Sequence, residues 1–201
     1  MNIYLMRHAQ TLINQKGKVF CGITETELSE EGKEMCRNIS SLDIWSRFDK
    51  VYISNLKRTY DTANLIFDNK PIKVVVIPEF AELNFGDYEG KIMTKENKDD
   101  PIFQQWVNNC ESLTFPNGEN LVEHTNACYE KLKEIVNNDQ SESILIISHS
   151  TTIRTLLTKI LNIDINSFRR IPCYNGHLTK VKYDDNGFSL EYLNTPLDSS
   201  F

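Results

Sequence analysis

No run in this 201-residue sequence approaches the ~20 consecutive apolar residues of a membrane span. The opening MNIYLM meets Arg7 and His8 too early for the core of a secretory signal. Neither membrane insertion nor export is therefore expected. Cysteine is scarce and odd in number: Cys21, Cys36, Cys110, Cys128 and Cys173 never stand in C-x-x-C spacing. That disfavours a disulfide framework and a zinc site, and reduced thiols in a cytoplasm are the plain reading. Excess positive charge is also missing. A net charge of −6 argues against nonspecific nucleic-acid binding, which needs many Lys and Arg on phosphates. The four His show no H-x-H or H-E-x-x-H spacing, so no metal site is expected, and no G-x-x-x-x-G-K-[ST] run offers a P-loop. No repeat, low-complexity tract or Gly/Ser linker divides the chain. One domain over 1–201 is expected, of a size that folds without a metal or a disulfide.

What the sequence does have is alternation of strand and helix patterns. Short apolar runs at 3–6, 51–54 and 73–77 read as strands, and ILII within 143–148 reads as the most buried of them. Ser29 opens a helix with Met35, Ile39 and Leu42 at helical spacing. A second helix is expected over 56–67, with Leu56, Tyr60, Ala63 and Phe67 on its buried face. A long one over 119–136 carries the stripe Leu121, Thr125, Cys128, Leu132 and Ile135. Another starts at Ser150 or Thr151 and carries Ile153, Leu156, Leu157, Ile160 and Leu161. A hairpin closes the chain, with Asn186-Gly187 as its turn signal. This order implies an α/β fold, a three-layer sandwich whose mixed, mostly parallel central sheet is flanked by helices. The polar segment 91–118 fits the alternation poorly and reads as an insertion over one end of the sheet, a candidate lid.

Three strand ends carry chemistry. The first runs into Arg7, His8, Thr11 and Asn14, the second is followed by Arg58, and ILII ends at Ser148 and His149. With parallel strands, two His and two Arg converge on one rim, where open α/β sheets bind ligands. Arg offers a planar fork that matches phosphate oxygens and stays charged. A neutral imidazole is a competent nucleophile at phosphorus, giving a covalent intermediate. The second His, if protonated, would stabilise the equatorial oxygens, and the helix N-terminus after His149 would add N–H donors. Protonating the leaving oxygen needs an acid. Glu82 sits among Phe80, Leu83 and Phe85, which would favour its protonated form. Glu89, beside Gly90, reads as a turn residue. His124 reads as a helix-surface residue and His177 as structural.

These motifs together resemble the histidine phosphatase superfamily, the phosphoglycerate-mutase-like proteins. The family's R-H-G-E-T is similar to Arg7-His8-Ala9-Gln10-Thr11, and its S-x-L-x-R-T-x-x-T-A to Ser54, Leu56, Arg58, Thr59, Thr62 and Ala63. Its E-x-x-F-G-x-x-E-G is similar to Glu82, Phe85, Gly86, Glu89 and Gly90, and its S-H-G-G-x-x-R to Ser148, His149 and Arg154. Ala9, Gln10, Ser150 and Thr151 depart from the pattern. The resemblance implies that His8 is phosphorylated in the cycle, that Arg7, Arg58 and His149 hold phosphate, and that Glu82 is the acid that later activates water. Thr11, Asn14, Cys21, Gly22 and Ser150 are expected to bind substrate. It implies a metal-independent phosphomonoesterase that needs no cofactor and acts on a small phosphorylated metabolite as a monomer or homodimer. The short insertion, KGKVFCGITETELSEEG and FPNGEN resemble the branch of the alpha-ribazole phosphatases, which makes alpha-ribazole 5′-phosphate a candidate substrate. A mutase primed by 2,3-bisphosphoglycerate and a noncatalytic phosphate-binding member remain as alternatives.

Overall fold

A six-stranded sheet in the order β3-β2-β4-β1-β5-β6 organises the computed structural model, which describes residues 1–68, 70–92 and 99–197. The strands are β1 (Asn2–Arg7), β2 (Lys50–Ile53), β3 (Lys73–Val76), β4 (Ser143–Ser148), β5 (Leu178–Asp184) and β6 (Gly187–Thr195). β3, β2, β4 and β1 run parallel, and the β5–β6 hairpin adds antiparallel to β1. The hairpin corner is Asp185-Asn186, one residue before the expected pair, because Asp184 pairs with Gly187. Gly187 then takes φ +93°, a conformation that glycine adopts at little cost.

Period-two side-chain alternation splits the sheet into two buried faces. Tyr4, Met6, Val51, Ile53, Leu145 and Ile147 pack against α2 (Glu30–Ser40) and α3 (Lys57–Phe67). Ile3, Leu5, Tyr52, Ile144 and Ile146 pack against α5 (Leu121–Asn138) and α6 (Ser150–Ile160). The three layers expected from the sequence are present. Ser29 caps α2 through Gly32 N, and Asn120 caps α5, which therefore begins two residues after the expected start. All five residues of the expected α5 stripe are buried.

The expected face of α3 needs correction. Leu56 is its N-cap, Tyr60 is exposed, and the buried side chains are Arg58, Thr59, Thr62, Ala63, Ile66 and Phe67. Half of that face is polar because it borders the site: Thr59 meets Ser54 Oγ, and Thr62 Oγ1 accepts from Ala9 N. Leu161, expected on the α6 stripe, is the C-cap and is exposed.

A third apolar cluster stands over one end of the sheet. Phe20, Leu83, Phe85, Phe115 and Phe168 gather around Trp106 of α4 (Pro101–Asn108), the helical piece of the expected insertion. Residues 93–98 of that insertion lie outside the described residues. Gly86 lies against the Pro116–Gly118 turn so closely that a Cβ there would fall 2.0 Å from Pro116 O. That close approach ties the FGDYEG segment to the FPNGEN turn.

Candidate active site

Strand register builds the site. Arg7 stands opposite Ser148, and Ile53 opposite Ile147, so the residues that follow (His8, His149 and Ser54) emerge together at one rim. The His8 N–H still donates to Ser148 O at 3.0 Å, and the two imidazole centroids are 5.2 Å apart. Both rings are buried.

The hydrogen bonds assign each ring a tautomer. His8 Nδ1 lies 2.7 Å from Ala9 O, an acceptor only, so Nδ1 carries the proton and Nε2 keeps a free lone pair. His149 Nδ1 accepts from Arg58 Nε at 3.1 Å, which puts its proton on Nε2, 2.7 Å from Ser54 Oγ. Burial, followed by the fields of Arg58 and Arg7, holds the His8 pKa well below its ordinary value. Burial, then Arg58, does the same at His149. The expectation of a protonated second histidine is therefore corrected for the ligand-free protein: its Nδ1 is engaged as an acceptor by a cation.

Arg58 is almost wholly buried. Besides His149 it donates from Nη2 to Gly22 O at 2.6 Å and from Nη1 to Thr24 O at 3.0 Å. Three of a guanidinium's five N–H groups are so engaged. Arg7 donates from Nη1 to Cys173 O at 3.0 Å, while its buried Nε has no partner among the described residues.

Glu82 is buried at this rim, although its nearest groups are not the expected apolar side chains. Its oxygens accept from Thr151 N and Thr152 N, both at 3.0 Å, from Thr152 Oγ1 at 3.1 Å and from Leu83 N at 3.2 Å. The carboxylate thus caps α6 from a distant part of the chain. Ser150 is the first helical residue, one of the two expected starts, and His149 at the N-cap position makes no side-chain cap bond. Helix N–H donors that the sequence assigned to phosphate are held by Glu82.

A cavity of about 720 Å³ opens here. Arg7, His8, Asn14, Cys21, Glu82 and Ser150 line it, while Arg58 and His149 are buried beside the rim. Thr11 and Gly22 are not among the residues that line it. Thr11 is buried as the cap of the short helix α1 (Leu12–Gln15), exchanging hydrogen bonds with Asn14. Gly22 is packed so tightly that a Cβ would fall 2.0 Å from Leu83 O. The departures from the family pattern are absorbed. The Ala9 methyl packs into the core, and Gln10 Oε1 accepts from Ser29 Oγ at 2.8 Å.

The model of the histidine phosphatase superfamily (branch 1) matches residues 3–196. The chain belongs to this superfamily. Phosphoserine phosphatase 1 of Hydrogenobacter thermophilus is 26% identical over 189 residues, covering 92% of this chain and 88% of that protein. The adenosylcobalamin/alpha-ribazole phosphatase of Escherichia coli is 24% identical, covering 97% of this chain and 96% of that protein. Among solved structures, the alpha-ribazole phosphatase of Shigella flexneri superposes with a TM-score of 0.86 at 24% identity, over 97% of this chain and 96% of that one. The expected fold and the expected phosphatase class both stand.

Three residues of this histidine phosphatase escaped the sequence reading. Glu89, read as a turn residue, accepts from the N–H groups of Gly22, Ile23, Thr24 and Phe85 and from the Thr24 hydroxyl. It holds the loop whose carbonyls grip Arg58. Asn175 donates to His8 O at 2.8 Å and lines the cavity; its only sequence signal was the Asn-Gly pair before β5. His124, read as a surface residue, has a buried side chain between Glu119 at 3.5 Å and Thr152 Oγ1 at 3.1 Å. Burial opposes its charge, but Cys128 and Glu119 outweigh burial and raise its pKa to about 10. His177 is structural as expected, with Nδ1 on Asn194 O.

Two buried neutral imidazoles make stability depend on pH. Below pH 6.5 the unfolded chain binds protons at His8 and His149 that the folded chain refuses, so folding weakens as pH falls. The slope approaches about 1.4 kcal/mol per pH unit for each histidine. His124 adds nothing in that window, because a raised pKa gives its full contribution below 6.5. Urea melts in phosphate-free buffer should lose stability from pH 6.5 to pH 5, and His8→Gln should lessen the loss. A flat wild-type profile would contradict two buried neutral imidazoles.

Proposed function

We propose that this chain is a phosphomonoesterase that works through phosphorylation of His8. The observation that carries the reading is the His8 ring itself: Nδ1–H is tied to Ala9 O, and the free Nε2 belongs to a ring that lines a cavity shared with Arg7. Attack by Nε2 on phosphorus breaks the ester P–O bond. Glu82 acts as the general acid, passing a proton to the leaving oxygen. In the second step water attacks phosphorus, its proton returns to Glu82, and the P–N electron pair returns to Nε2. Arg7 and Arg58 neutralise the equatorial oxygens. His149 positions Arg58 through Nε. Asn14, Cys21 and Ser150, which line the cavity, contact the substrate.

The substrate is a small phosphorylated metabolite, with alpha-ribazole 5′-phosphate from the sequence resemblance and phosphoserine from a relative's name as specific candidates. Residues 1–201 act as one domain, with the segment 91–118 as lid; Phe103 and Val107 of α4 on the cavity wall support that role. Every group invoked comes from one chain, which suits a monomer or homodimer. Five free cysteines suit a cytoplasmic location, and no described helix is long and apolar enough to cross a membrane.

The test separates hydrolysis from mutation. Inorganic phosphate should be released from p-nitrophenyl phosphate and from physiological esters, with EDTA present. Conversion of 3-phosphoglycerate to 2-phosphoglycerate without phosphate release would establish the mutase alternative. Phosphate bound but never turned over would establish the binding module.

A further inference from the structure

The phosphate machinery leaves two arginines of the same cavity unexplained. Arg154 lies on α6, five residues after His149 and so about 7 Å farther along the helix axis. Its Nε donates to Ser150 O at 3.0 Å, and its guanidinium sits 5.2 Å over the Phe168 ring. Arg169 stacks on Trp106 at 4.6 Å and on Phe168 at 4.5 Å. Its Nη2 is shut off from solvent without a hydrogen-bond partner, and its Nη1 reaches only the Cys110 sulfur, at 3.9 Å. Both residues line the cavity with His8.

Among the described residues neither arginine pairs with a carboxylate, although the chain has 28 acidic residues against 22 Lys and Arg. Burial pushes both guanidinium pKa values down, and the charge of Arg154 adds to that at Arg169. The carboxylate whose field reaches Arg154 is Glu82, which is committed to Thr151 and Thr152. Two cations held close together, half out of water and unpaired, are a cost that folding alone does not repay. Aromatic stacking fixes their planes and so pre-organises them for an oxyanion. The same stacking occupies faces of Trp106 and Phe168, both buried, which leaves them poorly placed to stack a flat heterocyclic base.

We propose that Arg154 and Arg169 form a second anion subsite, which makes the substrate a small phosphomonoester with a carboxylate a few bonds from the phosphate. The assignment rests on the phosphatase reading above. It narrows the substrate to phosphorylated hydroxy acids or amino acids small enough to reach His8, Arg154 and Arg169 within the one cavity.

A matched pair of esters tests it: 3-phosphoglycerate against glycerol 3-phosphate, which replaces the carboxylate by a neutral carbinol. Wild type should favour the acid in kcat/KM by at least about tenfold, the scale of one charge-assisted hydrogen bond. In Arg154→Gln and Arg169→Gln that ratio should collapse toward one, and Arg154→Lys should restore part of it. The wild-type ratio needs no variant to fold. A wild-type ratio near one overturns the subsite while phosphate release itself upholds the phosphatase. So does a loss in the Gln variants that is equal for both esters, or turnover of p-nitrophenyl phosphate with neither three-carbon ester accepted. No phosphate from any ester, p-nitrophenyl phosphate included, overturns the phosphatase reading and the subsite with it.

Discussion

His8→Ala is expected to lower kcat on every phosphomonoester by about ten-thousand-fold or more, the scale of losing a covalent nucleophile. The residual groups explain both the size of the loss and its form. Arg7 and Arg58 do not depend on the His8 ring for their hydrogen bonds, so ester binding should survive. KM should change little while turnover disappears. Water in the vacated space has no counterpart to the Ala9 carbonyl bond that fixes one proton on Nδ1 and leaves Nε2 bare. The decisive readout is the intermediate: wild type mixed with radiolabelled ester and quenched in alkali should carry label on His8, labile to acid as a phosphoramidate is. Label that persists in the Ala variant would move the nucleophile elsewhere, with His149 the next candidate.

Glu82→Gln should divide substrates by their leaving groups. For alkyl esters the alkoxide must be protonated as it departs, and loss of a general acid costs about 10²- to 10⁴-fold. Nitrophenolate leaves without help, so p-nitrophenyl phosphate should lose far less in its first step. Its second step still lacks a base for water, so a burst of nitrophenol followed by slow turnover is expected. Glutamine keeps one oxygen to accept a helix N–H, but turns an amide toward the other. Loss of an N-cap acceptor costs about 0.5–2 kcal/mol, so a modest drop in stability should accompany the kinetic effect. Equal loss in the first step on alkyl and aryl esters would show that Glu82 serves only as the cap of α6.

The fold was largely legible because its signals are local. The alternation of Ile3–Met6 and ILII with amphipathic helices reads directly as strand and layer, and the α5 stripe proved buried throughout. Where reading failed, polar residues were buried in place of apolar ones. Tyr60 faces solvent because α3 turns Arg58, Thr59 and Thr62 inward, where Ser54, Ala9 and the Gly22 loop satisfy them. A hydrophobic stripe cannot announce that kind of face. Glu89 escaped for a related reason: a carboxylate beside a glycine looks like a turn until a loop 65 residues away in sequence supplies its donors.

The sequence by itself determined the family, the layered fold and the identity of the residues at the strand ends, since each depends on spacing along one short segment. Tertiary structure alone decided how those residues are set. It made His149 an acceptor from Arg58 rather than a cation, and it turned Glu82 onto the N-terminus of α6. It left Thr11 and Gly22 out of the cavity lining and placed Arg154 beside Arg169. A buried polar group takes whatever partner the packing brings within about 3 Å, and that partner here lies 69 or 91 residues away along the chain.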